Sequence, residues 1–346
     1  MASLKHKRVT LKDVAAACDY SINTVSRAMR DDDKLPIATR KRIRVLASQM
    51  GYIPNSLASS LRSSTSHTVA IIVNDIHNQH YSILLSEMDS GLRAIGYNTM
   101  IMCMQLDEQL AERLIQVAIS HSVDGVFYFP YHGDPRQVDT MIENGMPFVL
   151  VDRWIQGITA DTVRCDDDHG GYLAGSHLTA LGHKRFLFLA GILTSSSQLD
   201  RYAGFLRALA EAGLGEDAVR TVSWEAFVDA SEHDRMPELL QPLDYTAVVA
   251  FSDEIGYHVL NGLQALGARV PHDVSVISFD HIRGGISYLP ALTSIACQRG
   301  ELSRSAIELL RYRLRKPALP AQSIVLPVCV YDEGTTGKPR KRTRLA

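Results

Sequence analysis

Residues 9–30 read VTLKDVAAACDYSINTVSRAMR, and the order of residue types in that string predicts two short helices joined by a tight turn. Thr10 followed by Asp13 is a helix start, in which a side-chain oxygen accepts from the first free backbone N–H groups. Leu11, Val14, Ala15 and Cys18 recur at i, i+3, i+4 and i+7 and make one apolar face. Asp19-Tyr20 interrupts the pattern; Asp tolerates a left-handed backbone better than most residues with a side chain. Ser21 then caps a second helix. Val25, Ala28 and Met29 face inward there, Ile22 sits at the margin, and Asn23, Ser26, Arg27 and Arg30 line the opposite face. A second helix with a polar, cationic outer face predicts a helix-turn-helix.

The outer face suits a DNA duplex. Arg27 has the forked donors for guanine O6 and N7, and the Asn23 amide, one turn earlier, suits adenine. Ile22 suits a thymine methyl and core filling equally. The hydroxyls of Thr10, Ser21, Thr24 and Ser26 suit phosphates, contacts that position without specifying. For Thr10, capping is at least half of the role.

A third helix is predicted from about Pro36 to Met50, with Ile43, Leu46, Ala47 and Met50 as its apolar stripe and Gly51 closing it. The acidic run Asp31-Asp32-Asp33 has no spaced partner for a metal and reads as a solvated loop. Next comes YIPNSLASSL (52–61), where Asn55 can cap a short helix with Ala58 and Leu61 on one face. A helix so short is unstable alone and is expected to fold on its partner. Leu61, beside a twofold mate, is placed to wedge into the minor groove and kink the duplex; the competing reading is a small apolar contact with the body. Residues 62–66 (RSSTS) read as linker.

The 346 residues imply two or three domains, and 46% hydrophobic with 21% charged content is ordinary for a globular chain. The net charge of −2 hides an asymmetry: residues 1–66 carry +7, residues 338–346 (KPRKRTRLA) carry +5, and the stretch between carries −14. A basic head on an acidic body is expected of a nucleic-acid reader with a separate sensing domain. No apolar run approaches the roughly 20 residues of a membrane span, and the charged N-terminus lacks the apolar segment of a signal peptide. The five cysteines (18, 103, 165, 297, 329) form no Cys-x-x-Cys and read as reduced thiols of a cytoplasmic protein.

From Val69 onward short apolar runs alternate with helical segments. VAIIV (69–73), TMIMCM (99–104), GVFYF (125–129) and PFVLV (147–151) form one set. RFLFLA (185–190), TAVVAF (246–251) and DVSVISF (273–279) form a second. The α/β pattern predicts two successive doubly wound parallel sheets behind a small all-α headpiece. Gly96, Gly145, Gly182, Gly213 and Gly267 each stand where a helix must end. Glycine-rich phosphate loops, a nucleophile elbow and a metal triad are all missing from the string, so no catalytic residue, metal or cofactor is expected. Asp166-Asp167-Asp168-His169 is explained by Asp166 as N-cap with Asp167 and Asp168 on the helix dipole.

Open α/β sheets bind ligands beyond the carboxyl ends of their strands. Polar pairs stand there repeatedly: Asn74-Asp75, Asp152-Arg153, Ser252-Asp253 and Asp280-His281. Carboxylates in a cleft accept paired hydrogen bonds from vicinal hydroxyls, and Arg201 can donate several. Trp224 suits the apolar face of a sugar ring, with Tyr81 and His80 closing the other wall.

The chain resembles the LacI/GalR family of bacterial transcription regulators. The likeness is carried by Asp13-Val14-Ala15, Ser21 and Thr24-Val25-Ser26-Arg27, and by the Tyr52-x-Pro54-Asn55-x-x-Ala58-x-x-Leu61 hinge pattern. In the body it is carried by Gly182-His183-Lys184-Arg185, Arg201-Tyr202-Ala203-Gly204-Phe205, the run from Val270 to Val276, and Leu292-Thr293-Ser294-Ile295. It implies a headpiece over 1–51, a hinge and linker over 52–66, a two-lobed periplasmic-binding-protein-like core over 67–337 and a basic tail over 338–346. The lobes would then comprise 67–160 with 291–322, and 161–290 with 323–337. It also implies effector positions at Tyr81, Asp152, Arg201, Trp224, Asp253 and Asp280. Departures from the pattern are Cys18-Asp19-Tyr20 for a usual Ala-Gly-Val, His80 for an aromatic, Ser252 for Asn, and His281 for a frequent Asp or Asn.

The expected function is a homodimeric repressor of carbohydrate uptake or catabolism genes on a palindromic operator, released by a sugar. The alternatives are a regulator that needs a purine or other small-molecule corepressor and, remotely, a sugar-processing enzyme. No leucine heptads follow Gly337, so no tetramerising coiled coil is expected.

Overall fold

A computed structural model of the protein describes residues 9–53, 65–131, 135–284 and 289–340; the hinge residues Asn55, Ala58 and Leu61 lie outside the described residues. The chain divides into two compact units, Met1–Ser66 and His67–Ala346.

Among its described residues the first unit holds three helices, α1 (Leu11–Cys18), α2 (Ile22–Met29) and α3 (Ile37–Gln49). Thr10 and Asp13 cap α1 reciprocally: Asp13 takes the Thr10 N–H at 2.8 Å, and Thr10 Oγ1 accepts the Asp13 N–H at 3.4 Å. Asp19 ends α1 in the left-handed region, at φ 58° and ψ 38°. Ser21 Oγ accepts from the Thr24 N–H at 3.1 Å and starts α2. Val14, Ala15 and Cys18 of α1 meet Val25 and Ala28 of α2 and Ile43 and Ala47 of α3, all buried. Gly51 follows α3 at φ 69°.

In the second unit the strands run β1 (Thr68–Val73), β2 (Asn98–Cys103), β3 (Gly125–Tyr128), β4 (Phe148–Val151), β5 (Thr162–Cys165), β6 (Phe186–Leu189), β7 (Val219–Val222), β8 (Ala247–Ala250), β9 (Ser275–Phe279), β10 (Thr293–Cys297), β11 (Ser323–Leu326) and β12 (Val328–Tyr331). The helices used below are α4 (Gln79–Ala94), α5 (Glu108–Ser120), α6 (Arg136–Glu143), α7 (Asp167–Leu181), α8 (Ser196–Glu211), α9 (Trp224–Glu232), α10 (Met236–Leu240), α11 (Asp253–Ala265) and α12 (Glu301–Arg315).

The N-lobe sheet is ordered β11-β5-β4-β3-β1-β2, and the C-lobe sheet β12-β10-β9-β8-β6-β7. Every pairing is parallel except β10 with β12. Helices cover both faces, which is why the inner strands read as unbroken apolar runs. Val69, Ile71 and Val73 pack on one side of β1 against Leu84, Met88 and Leu310. Ala70 and Ile72 pack on the other against Ile115 and Met141.

The chain crosses between lobes at Asp166, at 298–300 and at Pro327, a few residues later than the expected 160, 291 and 322. The reason is that β5, β10 and β11 each add a final strand to the lobe being left. Those strands, with β7 and β12, escape the sequence pattern because they lie at or beside sheet edges, where half-exposed positions break the apolar run. Among the described residues no helix is long and apolar enough to cross a membrane.

Candidate functional site

The headpiece presents the outer face of α2. Ile22 is 50% exposed, so it is not core, and Ser21 and Asn23 are exposed beside it. Thr24, Ser26 and Arg27 are half-buried. Thr10 Oγ1 is occupied in its cap, donating to Asp13 at 2.7 Å, and the Ser21 and Thr24 hydroxyls lie 2.9 Å apart. The Arg27 Nε–H donates to Asp32 at 2.8 Å. Asp31 pairs with Arg40 at 2.8 Å and Arg44 at 3.3 Å. The Asp31–Asp33 run is therefore not merely a solvated loop: two of its acids neutralise the basic residues that flank it.

The second site lies where the two sheets face each other. Asn74 follows β1, Asp152 follows β4, Ser252 lies just past β8 and Asp280 follows β9, all at carboxyl ends. Asp152 and Asp280 hold positive φ, 73° and 99°, a conformation costing a non-glycine residue of order 1–3 kcal/mol. The strain turns each carboxylate off its strand end toward the cleft.

Arg201 reaches this point from α8. Two glycines set that reach: a Cβ on Gly171 of α7 would lie 1.9 Å from Arg201 O, and one on Gly204 of α8 would lie 1.9 Å from Asp168 O. Only bare backbone allows α7 and α8 to cross so closely. Arg201 Nε then donates to Asp167 at 2.7 Å, Nη1 donates to Phe251 O at 2.6 Å, and Nη2 stands 3.5 Å from Asp280. Its guanidinium lies over the Phe251 and Phe279 rings. Burial opposes the charge of Arg201, but Asp167, Asp280 and Asp152 outweigh it and raise its pKa. Burial likewise pushes the Asp167 carboxyl up.

His80, near the start of α4, places Nε2 3.6 Å from Asp152. Burial disfavours its proton, yet Asp280 and Asp152 prevail and hold its pKa at about 9. For Asp152, burial is opposed by His80, Arg153 and Arg201, and the carboxyl is held well below its usual range. Three acids (Asp152, Asp167 and Asp280) and three cations (His80, Arg153 and Arg201) thus meet between the lobes as a nearly neutral group.

In front of that group is a cavity of about 150 Å³ lined by both lobes. Tyr81 is buried in its wall, edge-on to Phe129 at 5.5 Å between centroids, and Trp224 stands opposite, tilted against Phe227. Seven buried side-chain polar atoms among the described residues lack a hydrogen-bond partner, and four of them line this cavity: Asn74 Oδ1, His80 Nε2, Arg153 Nε and Ser197 Oγ. Such atoms cost about 1–3 kcal/mol each unless something bonds them. At the cavity's edge Asn78 Nδ2 donates across the lobes to Glu254 at 2.9 Å.

Residues 10–55 match the family described as bacterial regulatory proteins, lacI family, and residues 176–336 match the periplasmic binding protein-like domain. The chain is similar over most of its length to the ribose operon repressor of Haemophilus influenzae, 26% identical over 94% of this chain and 98% of that one. It is 29% identical to the transcriptional repressor CytR of Escherichia coli, over 97% and 98% of the two chains. The chain belongs to the LacI family. Among solved structures of similar proteins, a LacI family regulator of Enterococcus faecium with bound ribose superimposes with a TM-score of 0.68 at 26% identity, covering 79% of this chain and all of that one. This LacI-family member is a DNA-binding transcriptional regulator and not an enzyme.

Of the seven positions expected to hold the regulator's effector, the structure brings six to one place: His80, Tyr81, Asp152, Arg201, Trp224 and Asp280. Asp253 is not among them. It is 1% exposed and points away from the cavity, accepting from Ser278 Oγ, from Ser294 Oγ at 2.7 Å and from the Ile282 N–H at 2.8 Å. It staples β9 and β10 to the turn after Asp280, and burial together with Asp280 raises its pKa to about 7. Its neighbours Ser252 and Glu254 line the cavity instead, because Ser252 caps α11 and the first turn rotates Asp253 inward.

Asp167 was expected only to serve the helix dipole; its carboxylate in fact anchors Arg201. Asp168 pairs with Arg207, and Asp166 is the N-cap, accepting from the His169 N–H at 3.0 Å. Asn78, Ser197 and Glu254 join the cavity without having been singled out. The one signal pointing to them is position, since each is within two residues of a helix start.

Proposed function

We propose that this regulator is a repressor that binds a palindromic operator as a homodimer through α2 and is released by a small polyhydroxylated effector held between its lobes. Arg27 and Asn23 read bases, Ile22 touches a thymine methyl, and Ser21, Thr24 and Ser26 meet phosphates. The hinge residues Asn55, Ala58 and Leu61 carry the signal to the DNA by contacts in the minor groove. The place of action is the cytoplasm.

The observation that carries the effector reading is the concentration, around one cavity, of buried polar atoms that lack a hydrogen bond. They offer both donors (Arg153, His80) and an acceptor (Asn74), with Ser197 able to be either. A ligand rich in hydroxyls satisfies both at once, and Trp224 and Tyr81 supply the apolar walls. The ribose bound to a similar regulator supports a sugar.

Thermal-shift measurements on the full chain test this against ribose, cellobiose, nucleosides and purine bases. A ligand at a hundred times its Kd should stabilise the core by about 2.7 kcal/mol. The shift should vanish in Asp152→Ala, which removes a carboxylate of the wall. Effector binding shifts the lobes' relative angle and lowers operator affinity. A hit that tightens operator binding would establish a corepressor instead, and a hit unaffected by Asp152→Ala would move the ligand elsewhere.

A further inference from the structure

Three of the five cysteines stand where the chain passes between lobes. Cys165 ends β5 in the N-lobe sheet, Cys297 ends β10 in the C-lobe sheet, and Cys329 lies in β12 just after the third crossing. All are free thiols. Cys297 belongs to the C-lobe sheet yet packs against the N-lobe core, so it sits at the junction itself. Cys165 and Cys297 are both half-buried and line a second, largely apolar cavity of about 80 Å³ behind the Arg201 group, with Phe279, Ile295, Leu302 and Val328.

Cys165 shares the face of Val163 on β5, and Cys297 packs against the cluster that holds Val163, so both thiols turn to the same side and line the one cavity. Cys329 cannot take either place. It pairs in register with Ala296, so it shares the face of Ala296 and lies on the opposite face from Cys297.

We propose that Cys165 and Cys297 form an oxidation site, where a peroxide closes a disulfide between the two lobes. The neighbouring Cys165 thiol, with help from the His80 charge, lowers the Cys297 pKa, and Cys297 in turn raises that of Cys165. Cys297 is thus the thiolate and Cys165 the resolving thiol. The Cys297 sulfur attacks one peroxide oxygen, the O–O bond breaks, and a sulfenic acid and hydroxide form. Cys165 then attacks the sulfenic sulfur, the S–S bond forms and water leaves. The proton released by Cys297 converts the hydroxide to a second water. Two thiols lose two electrons, and one peroxide gains them. The product ties β5 to β10, the strands that end just before two of the three places where the chain changes lobes.

The test is oxidation of the full-length protein with one equivalent of hydrogen peroxide, alkylation of remaining thiols, and non-reducing peptide mapping. The expected result is a Cys165–Cys297 linked pair with Cys329 alkylated. The thermal midpoint should rise by roughly 5 °C and return on adding dithiothreitol. Cys165→Ser and Cys297→Ser should each lose both the link and the rise, whereas Cys329→Ser should keep them. Sulfinic acids at 165 and 297 without a link, or oxidation confined to Cys329, would overturn the proposal. Both outcomes are read from the unsubstituted protein and need no variant to fold.

Discussion

The headpiece and the inter-lobe cleft each carry an Arg–Asp pair of nearly the same length, Arg27–Asp32 at 2.8 Å and Arg201–Asp167 at 2.7 Å. The Arg27 and Asp32 side chains are 31% and 27% exposed, against 7% and 5% for Arg201 and Asp167. Distance therefore does not distinguish them, and solvent does. The exposed pair is screened, contributes little to stability and can be exchanged for a base edge or a phosphate. The buried pair has left water and cannot lose one member without stranding the other. A residue that reads DNA must be free to change partners, and a residue that shapes a binding cavity must not be.

The sharpest way to break that contrast is Arg201→Ala. It strands Asp167 and Asp280, and urea denaturation should show the core losing about 3–5 kcal/mol. A loss below about 1 kcal/mol would mean that the buried pair behaves like a surface one. Arg27→Ala is the counterpart: the fold should stand, while affinity falls roughly tenfold to a hundredfold on an operator selected from random duplexes, and far less on bulk DNA. Equal losses on both would reduce Arg27 to a phosphate contact.

A smaller effect is expected from pH. The pKa of His80 is raised in the folded protein, from 6.5 to about 9, so its contribution to core stability is complete below about pH 6.5 and is lost as pH rises through about 9. Urea midpoints should fall over that window, and His80→Gln should flatten the fall. A midpoint that rises instead would reverse the sign of the interaction with Asp152 and Asp280. The smallest effect belongs to Asp32→Asn. Freeing Arg27 from its partner should tighten operator binding roughly two- to fivefold, measured by fluorescence anisotropy, with unfolding unchanged. Weaker binding would show that Asp32 orients Arg27 rather than competing for it.

The legible parts of the chain were those governed by neighbours in sequence. Thr10 with Asp13 and Ser21 with Thr24 close within one helical turn, so the headpiece could be read from spacing alone. The inner strands were legible because burial on both faces leaves continuous apolar runs. The crossings were misplaced because β5 and β11 are half-polar and close the sheet edge by pairing across a long stretch of chain, 160 residues from Thr162 to Gln322. Asp253 was misread for a related reason. A strand-end acid looks the same in a string whether it faces the cavity, as Asp152 does, or folds back on Ser278 and Ser294.

By itself the sequence determined the helix-turn-helix, the two-sheet body, the division of charge between head and body, and six of the seven cavity positions. Each rests on local periodicity, on caps, on residues at the ends of recognisable strands or, for Tyr81, Arg201 and Trp224, on the family resemblance. Tertiary structure alone decided that Asp167 anchors Arg201, that Asn78 meets Glu254 across the lobes, and that Cys165 faces Cys297. These pairs join residues 34, 176 and 132 positions apart. Their meeting depends on how closely α7 and α8 can cross over bare glycine backbone and on where the chain changes lobes. Neither is encoded in any window short enough to carry a pattern.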